Sequence, residues 1–285
     1  MSMNSVHTNL GAMVALQSLN RTGADMAATQ KAISTGFRVA DAKDDGAAYA
    51  VAQRVRSNVG ALTSANQQLS GAKGLLDTTL SSLKEVSTTL IDMRKILVKL
   101  AESGVQGEDR NNYKQQYEDK LQNVKDFFSD ATYNGRTLIG NIGGAPAAGI
   151  QFGDVEVVRN ESGESTTIAA VDLDSVISAL DYGAALDDAT MVKAEIQTGA
   201  SFQQAADAVN RESNRFGTKN GYISSQINYN NAKIDAMNAG IGAMVDADLS
   251  KEAANLQALQ VRQQLGTQAL SMANQGPQSL LSLFR

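Results

Sequence analysis

Leucine recurs at every seventh position between residues 62 and 97, and a second mostly apolar column follows three residues later. A seven-residue repeat is typical of a helix that packs lengthwise against a partner helix. The pattern predicts a helix from about Gly46 to Ser103, which would be roughly 85 Å long at 1.5 Å per residue. Such a length indicates a rod rather than the core of a compact domain. The leucine column consists of Leu62, Leu69, Leu76, Leu83, Leu90 and Leu97.

A second periodic stretch begins near Ser201 and continues to about residue 245. Its apolar positions also repeat every seven residues, although Asn230 interrupts one of the columns. We expect this stretch to form a helix that packs against the leucine column. The predicted rod seam therefore adds four residues to the six leucines: Phe216, Ile223, Ile227 and Ile234.

Thinner apolar stripes with helical spacing mark both ends of the chain, at residues 6–34 and 246–285. A helix with one narrow stripe is only marginally stable alone in water. Between them, from Gly140 to about Gly199, glycines and short β-branched runs replace the long periodicity. Residues 150–152, 155–158 and 166–168 predict strands there, and we expect no strands elsewhere.

The predicted fold class is mainly α. A long antiparallel coiled-coil rod, formed by the N- and C-terminal halves, carries a small β-containing central insertion.

The amino-acid composition excludes several kinds of chemistry and of binding partner. The formal charge is −5 with no basic tract, so we expect no nucleic-acid partner. The chain has no cysteine and one histidine, His7, which excludes thiol catalysis, disulfides and a His-based triad. We expect no enzyme activity and no cofactor. No apolar run is long enough to span a membrane, and the N-terminus lacks the pattern of a cleaved secretory signal.

Three motifs then point to a family. The first covers residues 34–54, with Ser34-Thr35-Gly36-Phe37-Arg38 and Asp44-Asp45-Gly46 at its centre. The second, Tyr133-Asn134-Gly135-Arg136-Thr137-Leu138, also predicts a turn. The third covers residues 263–270, 273–275 and 277–283 near the C-terminus. In this order and at these distances from the ends, the motifs resemble those of bacterial flagellin, the subunit of the flagellar filament.

The resemblance implies a division of the chain into five segments. Residues 1–45 and 246–285 would form the inner filament core, 46–140 and 201–245 the outer core rod, and 141–200 a small solvent-facing domain. The residues expected to pack in the inner core are Leu10, Leu19, Met26, Ile33, Leu256, Leu265, Leu270, Leu280, Leu281 and Leu283.

The resemblance also implies partners and a location. The partners would be copies of the chain or sibling flagellins, the flagellar export apparatus, a secretion chaperone, and hook-associated and cap proteins. The protein would be secreted into the extracellular filament without inserting into a membrane. Glycans in this family sit on hydroxyls of the central segment, where the candidates are Ser162, Ser165, Thr166, Thr167 and Thr190.

Two alternatives stay open at this stage. A hook–filament junction protein shares similar termini, but the C-terminal Ala-Asn-Gln-x-Pro-Gln-x-Leu-Leu pattern favours flagellin. A signalling coiled-coil rod would share the heptads but would not account for the three motifs.

Overall fold

A computed structural model describes the backbone of residues 9–140, 149–197 and 199–283, and side chains as far as Gln275. The described part is mainly helical with a small strand-containing central region, so the predicted fold class is confirmed. Its helices are α1 (Leu10–Thr35), α2 (Gly46–Leu100), α3 (Gly107–Ser129), α4 (Asp174–Leu180), α5 (Ala189–Glu195), α6 (Ser201–Val245) and α7 (Leu249–Leu283).

The strands of the described residues are short and form three small sheets. β1 and β2 are antiparallel and β4 adds to β2 in parallel, β3 pairs with β7 in parallel, and β5 and β6 form an antiparallel hairpin. Their bounds are β1 (Thr132–Tyr133), β2 (Arg136–Thr137), β3 (Ile139–Gly140), β4 (Gln151–Phe152), β5 (Val155–Val158), β6 (Ser165–Ile168) and β7 (Val171–Asp172).

The expectation that strands occur only between Gly140 and about Gly199 is wrong, because β1 and β2 precede that region and β3 begins before it. A strand of two residues is too short to show an alternating pattern, and long-range pairing rather than local sequence stabilises it. The central region also contains α4, α5 and a short 3₁₀ helix (Gly183–Asp187), which the strand interpretation missed. The long helix ends at Leu100, three residues before the predicted Ser103.

The chain divides into two compact units, one formed by Met1–Asn58 with Asp235–Arg285 and the other by Val59–Ile234. This division falls inside α2 and α6, so each of these helices contributes residues to both units. The five segments implied by the family resemblance follow different boundaries and stay a prediction.

The first unit contains α1, α7 and the adjoining ends of α2 and α6. A small core forms where the start of α2 meets the end of α6, and it consists of Val39, Ala52, Ile241 and Val245. Gly36 ends α1 in the left-handed conformation at φ 74°, and its N–H donates to the carbonyl of Ala32. A β-carbon would strain this backbone, which accounts for glycine at the helix end.

The second unit has the larger core. Buried residues of α2 between Leu69 and Leu100 pack with one face of α3, with α6 and with the central region. Tyr117 on α3 is fully buried, and its hydroxyl donates to the carbonyl of Leu180 at the end of α4, at 2.7 Å. Burial raises the pKa of Tyr117 far above its ordinary value of 10.0, so this hydroxyl stays protonated and remains a donor.

Candidate interaction surfaces

Helices α1 and α7 lie antiparallel in close contact. The side chain of Asn9 caps α1, because its Oδ1 accepts a hydrogen bond from the N–H of Ala12 at 3.0 Å. The same side chain donates from Nδ2 to the carbonyl of Ala273 on α7 at 2.7 Å. Further along, a β-carbon on Gly266 would come within 3.3 Å of Leu19 Cδ1, so the helices approach closely there. Both contacts fix a single antiparallel register.

The pair leaves many large apolar side chains exposed, because two helices can cover only one face of each other. Eight such side chains are between 48 and 67% exposed. Exposed apolar surface on this scale is typical of a protein–protein contact. The eight are Leu10, Met13, Val14 and Leu16 on α1, and Leu249, Val261, Leu265 and Met272 on α7.

The residues predicted for the inner core fall into three groups. Leu10 and Leu265 are exposed, and five more are half-buried: Leu19, Met26, Ile33, Leu256 and Leu270. The side chains of Leu280, Leu281 and Leu283 lie outside the described residues. The sequence interpretation left out Val261, because the residues seven positions before and after it, Ala254 and Gln268, are not large apolar ones.

The connection that follows α1 and the connection that precedes α7 run side by side. The N–H groups of Arg38 and Val39 both donate to the carbonyl of Val245, at 2.8 and 3.2 Å. In return, the N–H of Ala247 donates to the carbonyl of Gly36 at 2.9 Å. Backbone hydrogen bonds therefore join the α1–α2 connection to the α6–α7 connection.

An ionic cluster closes the α1–α2 connection. Lys31 Nζ lies 2.8 Å from carboxylate oxygens of both Asp41 and Asp44. Asp44 also accepts hydrogen bonds from the N–H groups of Ala40 and Asp41, at 3.0 and 3.1 Å. The hydrogen bond from Lys31 holds the pKa of Asp41 and of Asp44 below the ordinary value of 3.8. Those bonds raise the pKa of Lys31 above 10.5.

The carboxylate of Asp45 caps α2, because it accepts hydrogen bonds from the N–H groups of Ala47 and Ala48.

In the second unit, the structure places the predicted rod seam as follows. All six leucines of α2 are at most 3% exposed, and Phe216 and Ile223 of α6 are equally buried. Ile227 and Ile234 are half-buried. The opposite face of α2 presents Ile91 and Val98, both more than half exposed.

The candidate hydroxyls of the central segment differ in accessibility. Ser162, Thr167 and Thr190 are exposed. Ser165 is also exposed and donates to Glu156, whereas Thr166 is half-buried and accepts from Lys219 Nζ at 2.7 Å.

The described residues offer neither a metal-binding cluster nor a membrane-spanning helix. They contain no group of three or more His, Cys, Asp or Glu side chains arranged to hold a metal ion. None of the helices formed by these residues has the length and apolarity needed to cross a membrane.

Long heptad helices and an exposed apolar helix pair define a class of structural proteins that pack by their helices. Residues 6–143 match the bacterial flagellin N-terminal helical region, and residues 199–284 match the bacterial flagellin C-terminal helical region. The chain therefore belongs to the bacterial flagellin family, and it is a structural subunit of the flagellar filament.

Individual relatives agree with this assignment. Flagellin FljM of Caulobacter vibrioides is 30% identical over 285 residues, which cover 100% of both chains. A flagellin of Brucella melitensis is 31% identical over 296 residues, covering 99% of this chain and 100% of the relative. The crystal structure of Bacillus cereus flagellin has a similar fold, with a TM-score of 0.50 and 20% identity, covering 57% of this chain and 88% of that one.

Proposed function

We propose that copies of this chain join in the filament through the exposed apolar faces of α1 and α7. The observation that carries the proposal is the set of eight exposed apolar side chains on this pair. Burying the exposed half of each of these side chains would contribute about 1 kcal/mol of binding free energy, or roughly 8 kcal/mol per subunit for all eight. Association costs about 4–15 kcal/mol, so a single contact is marginal. Contacts with several copies, as at the end of a growing tube, favour assembly.

On this proposal, residues 1–45 and 246–285 form the inner core of the filament. The ten residues assigned to inner-core packing would then be covered by neighbouring subunits. Residues 46–140 and 201–245 would form the outer core with the rod seam inside it, and residues 141–200 would face solvent.

The same exposed surface supports the proposed partners. Before assembly, α1 and α7 present apolar side chains that would associate at random. A secretion chaperone that covers them, and delivery through the flagellar export apparatus, would keep the subunit unassembled until it reaches the filament tip outside the cell. Hook-associated and cap proteins would meet the same helices at the two ends of the filament.

We also propose that the protein has no enzymatic activity. Its whole sequence contains one histidine and no cysteine, and the family is one of structural proteins. If the central segment is glycosylated, the exposed hydroxyls of Ser162 and Thr167 are better attachment sites than those of Ser165, Thr166 and Thr190, which make hydrogen bonds. An intact mass of 30.1 kDa from native filaments would exclude the modification.

The test of the assembly surface compares three methionines. Met13 on α1 and Met272 on α7 belong to the proposed surface, whereas Met191 on α5 belongs to the central segment; their exposed fractions are similar at 60, 67 and 56%. Purified monomers carrying Met13→Asp, Met272→Asp or Met191→Asp would be added to seed filaments, and elongation followed by electron microscopy.

We expect Met13→Asp and Met272→Asp to stop elongation, because a carboxylate would be buried at each contact between copies. Met191→Asp should elongate like the unmodified chain. Circular dichroism of each monomer shows whether helix content is retained. Normal elongation of the Met13 and Met272 variants would contradict the proposed surface.

A further inference from the structure

A buried polar cluster interrupts the apolar packing between α2 and α6 in the second unit. Asn230 is fully buried, and its Nδ2 donates to Asn66 Oδ1 at 2.8 Å and to the carbonyl of Arg159 at 2.9 Å. Its Oδ1 accepts from Gln226 Nε2 at 3.0 Å. Asn66 in turn donates from Nδ2 to Asn231 Oδ1 at 2.8 Å. The amide of Asn230 is therefore satisfied on both sides.

The position of Asn230 is one where an apolar residue would be expected. Val209, Phe216 and Ile223 precede it on α6 at intervals of seven, and all three are fully buried. An apolar side chain at residue 230 would continue this column. A polar residue in such a column is compatible only with an arrangement that supplies its partners.

Helices α2 and α6 run antiparallel along the stretch that contains Asn230. Asn66 faces Asn230 and Asn231, and Asp77 accepts from Asn220 Nδ2 at 2.5 Å. Because the leucines of α2 repeat every seven residues, sliding one helix by seven positions would again place apolar columns against each other. Packing of the leucines therefore discriminates weakly between the native register and its neighbours.

The hydrogen bonds of Asn230 do discriminate. A shift of seven residues would place Asn230 opposite Val59 or Lys73 instead of Asn66. The valine side chain has no polar atom, and the lysine has no acceptor and already pairs with Asp77. The amide also donates to the carbonyl of Arg159, at the tip of the β5–β6 hairpin.

The hairpin tip is a fixed partner rather than a loose loop. Asn160 Oδ1 accepts from the N–H of Glu164 at 2.9 Å, and Arg159 forms an ion pair with Glu164. Glu161 pairs with Lys233 on α6, one turn beyond Asn230. The hairpin tip is therefore anchored to α6 and orients the amide of Asn230 through the carbonyl of Arg159. Asn66 on α2 is the partner that changes when the register changes.

We propose that Asn230 is a positioning residue that fixes the register of α2 against α6. The native register is the one in which its amide meets both Asn66 and the Arg159 carbonyl. In a polymer of identical subunits, one register gives every copy the same surface. This inference concerns the folded subunit and does not depend on which surfaces join the copies.

The register can be measured directly because the chain contains no cysteine. Thr63 on α2 and Asn210 on α6 are both exposed, so Thr63→Cys and Asn210→Cys would carry two spin labels. A shift by seven residues changes the distance between the labels by about 10 Å. Pulsed electron–electron double resonance, which measures the distance between two spin labels, resolves such a change. Asn228→Leu, an exposed asparagine of the same helix, serves as the matched control.

We expect one narrow distance in the labelled parent and in Asn228→Leu. Asn230→Leu should add a second population about 10 Å away, because each register is then satisfied by apolar packing. A residue that only stabilised the fold would lower the unfolding midpoint without a new distance. A single, unshifted distance in Asn230→Leu overturns the proposal.

A second variant decides the matter if Asn230→Leu does not fold. Exchanging two residues, Val59→Asn with Asn66→Val, keeps the composition and moves the partner of Asn230 by one heptad. The proposal predicts that the main distance shortens by about 10 Å. A main distance that stays at the parent value in this exchange variant would also overturn it.

Discussion

The guanidinium of Arg110 donates from Nη1 to the carbonyl of Leu186, 76 residues further along the chain, at 2.7 Å. Arg110 is buried, and its other nitrogens donate to the carbonyls of Val105 and Leu100, at 3.0 and 2.7 Å. One side chain thus joins the end of α2, the α2–α3 turn and the 3₁₀ helix of the central region. Leu100 is the last residue of α2, so its carbonyl has no partner within the helix.

Replacing Arg110 with methionine should destabilise the second unit by about 3 kcal/mol, because three carbonyls lose their donor inside the protein. Urea unfolding followed by circular dichroism measures the change. Arg94→Met, at an exposed position of α2, is the control and should change stability by less than about 0.5 kcal/mol. Equal stability of the two variants would mean that water replaces the guanidinium at these carbonyls.

Arg110 also shows where sequence reasoning stops. The leucine columns of α2 could be predicted because six repeats of one spacing leave few alternatives to a helix packed on a partner. A single arginine near the start of α3 carries no such pattern, and only the folded chain brings the carbonyl of Leu186 to it. The apolar positions Val176, Ile177 and Leu180 of α4 did carry helical spacing, but a helix of seven residues is too short for this signal to outweigh its β-branched neighbours.

The interaction surface could be predicted only in part. The stripe of α1 indicated an unburied face, and Leu10 and Leu265 do lie exposed on the helix pair. The sequence could not show which side of each stripe α1 and α7 use against each other. That choice depends on the close approach of Leu19 to Gly266 and on the bond from Asn9 to Ala273.

Leu83 should make one of the largest contributions to the seam. It is fully buried in the core of the second unit, so Leu83→Ala removes apolar contacts and leaves a cavity that costs about 2–5 kcal/mol. Ile91→Ala on the same helix changes an exposed side chain and should cost less than about 1 kcal/mol. Chemical denaturation of both variants gives the comparison. Similar losses would indicate that Ile91 is covered in solution.

Lys31 should control the acid response of the α1–α2 connection. The pKa values of Asp41 and Asp44 are lowered in the folded chain. The stability that the two carboxylates contribute is therefore complete above pH 3.8, the ordinary pKa, and is lost as the pH falls through the lowered pKa values. The pKa of Lys31 is raised, so the stability that its ammonium group contributes is complete below pH 10.5 and is lost as the pH rises through the raised pKa. Between these limits we expect no pH dependence from this cluster.

Lys31→Met removes the largest cause of the lowered pKa values. Carboxyl carbon titration by NMR should then show the pKa of Asp41 and Asp44 moving up toward 3.8, so that the connection loosens at higher pH than in the unmodified chain. Lys95→Met, which removes the pair with Asp92 elsewhere, should leave both titrations unchanged. Unchanged titrations in Lys31→Met would show that the ion pairs do not persist in solution.

Two glycines of the second unit should respond to alanine with opposite sign. Gly135 follows Asn134 in the turn between β1 and β2, and both have positive φ, 73° and 50°, as a type I′ turn requires. Gly135→Ala strains this backbone and should lower stability by about 1 kcal/mol. Gly60 lies inside α2 with open space where a β-carbon would be, so Gly60→Ala should raise stability by about 0.5–1 kcal/mol. Urea midpoints measured side by side test the pair. A loss of stability in Gly60→Ala would indicate that its position is in contact in solution, and no loss in Gly135→Ala would indicate that the β1–β2 turn is not formed.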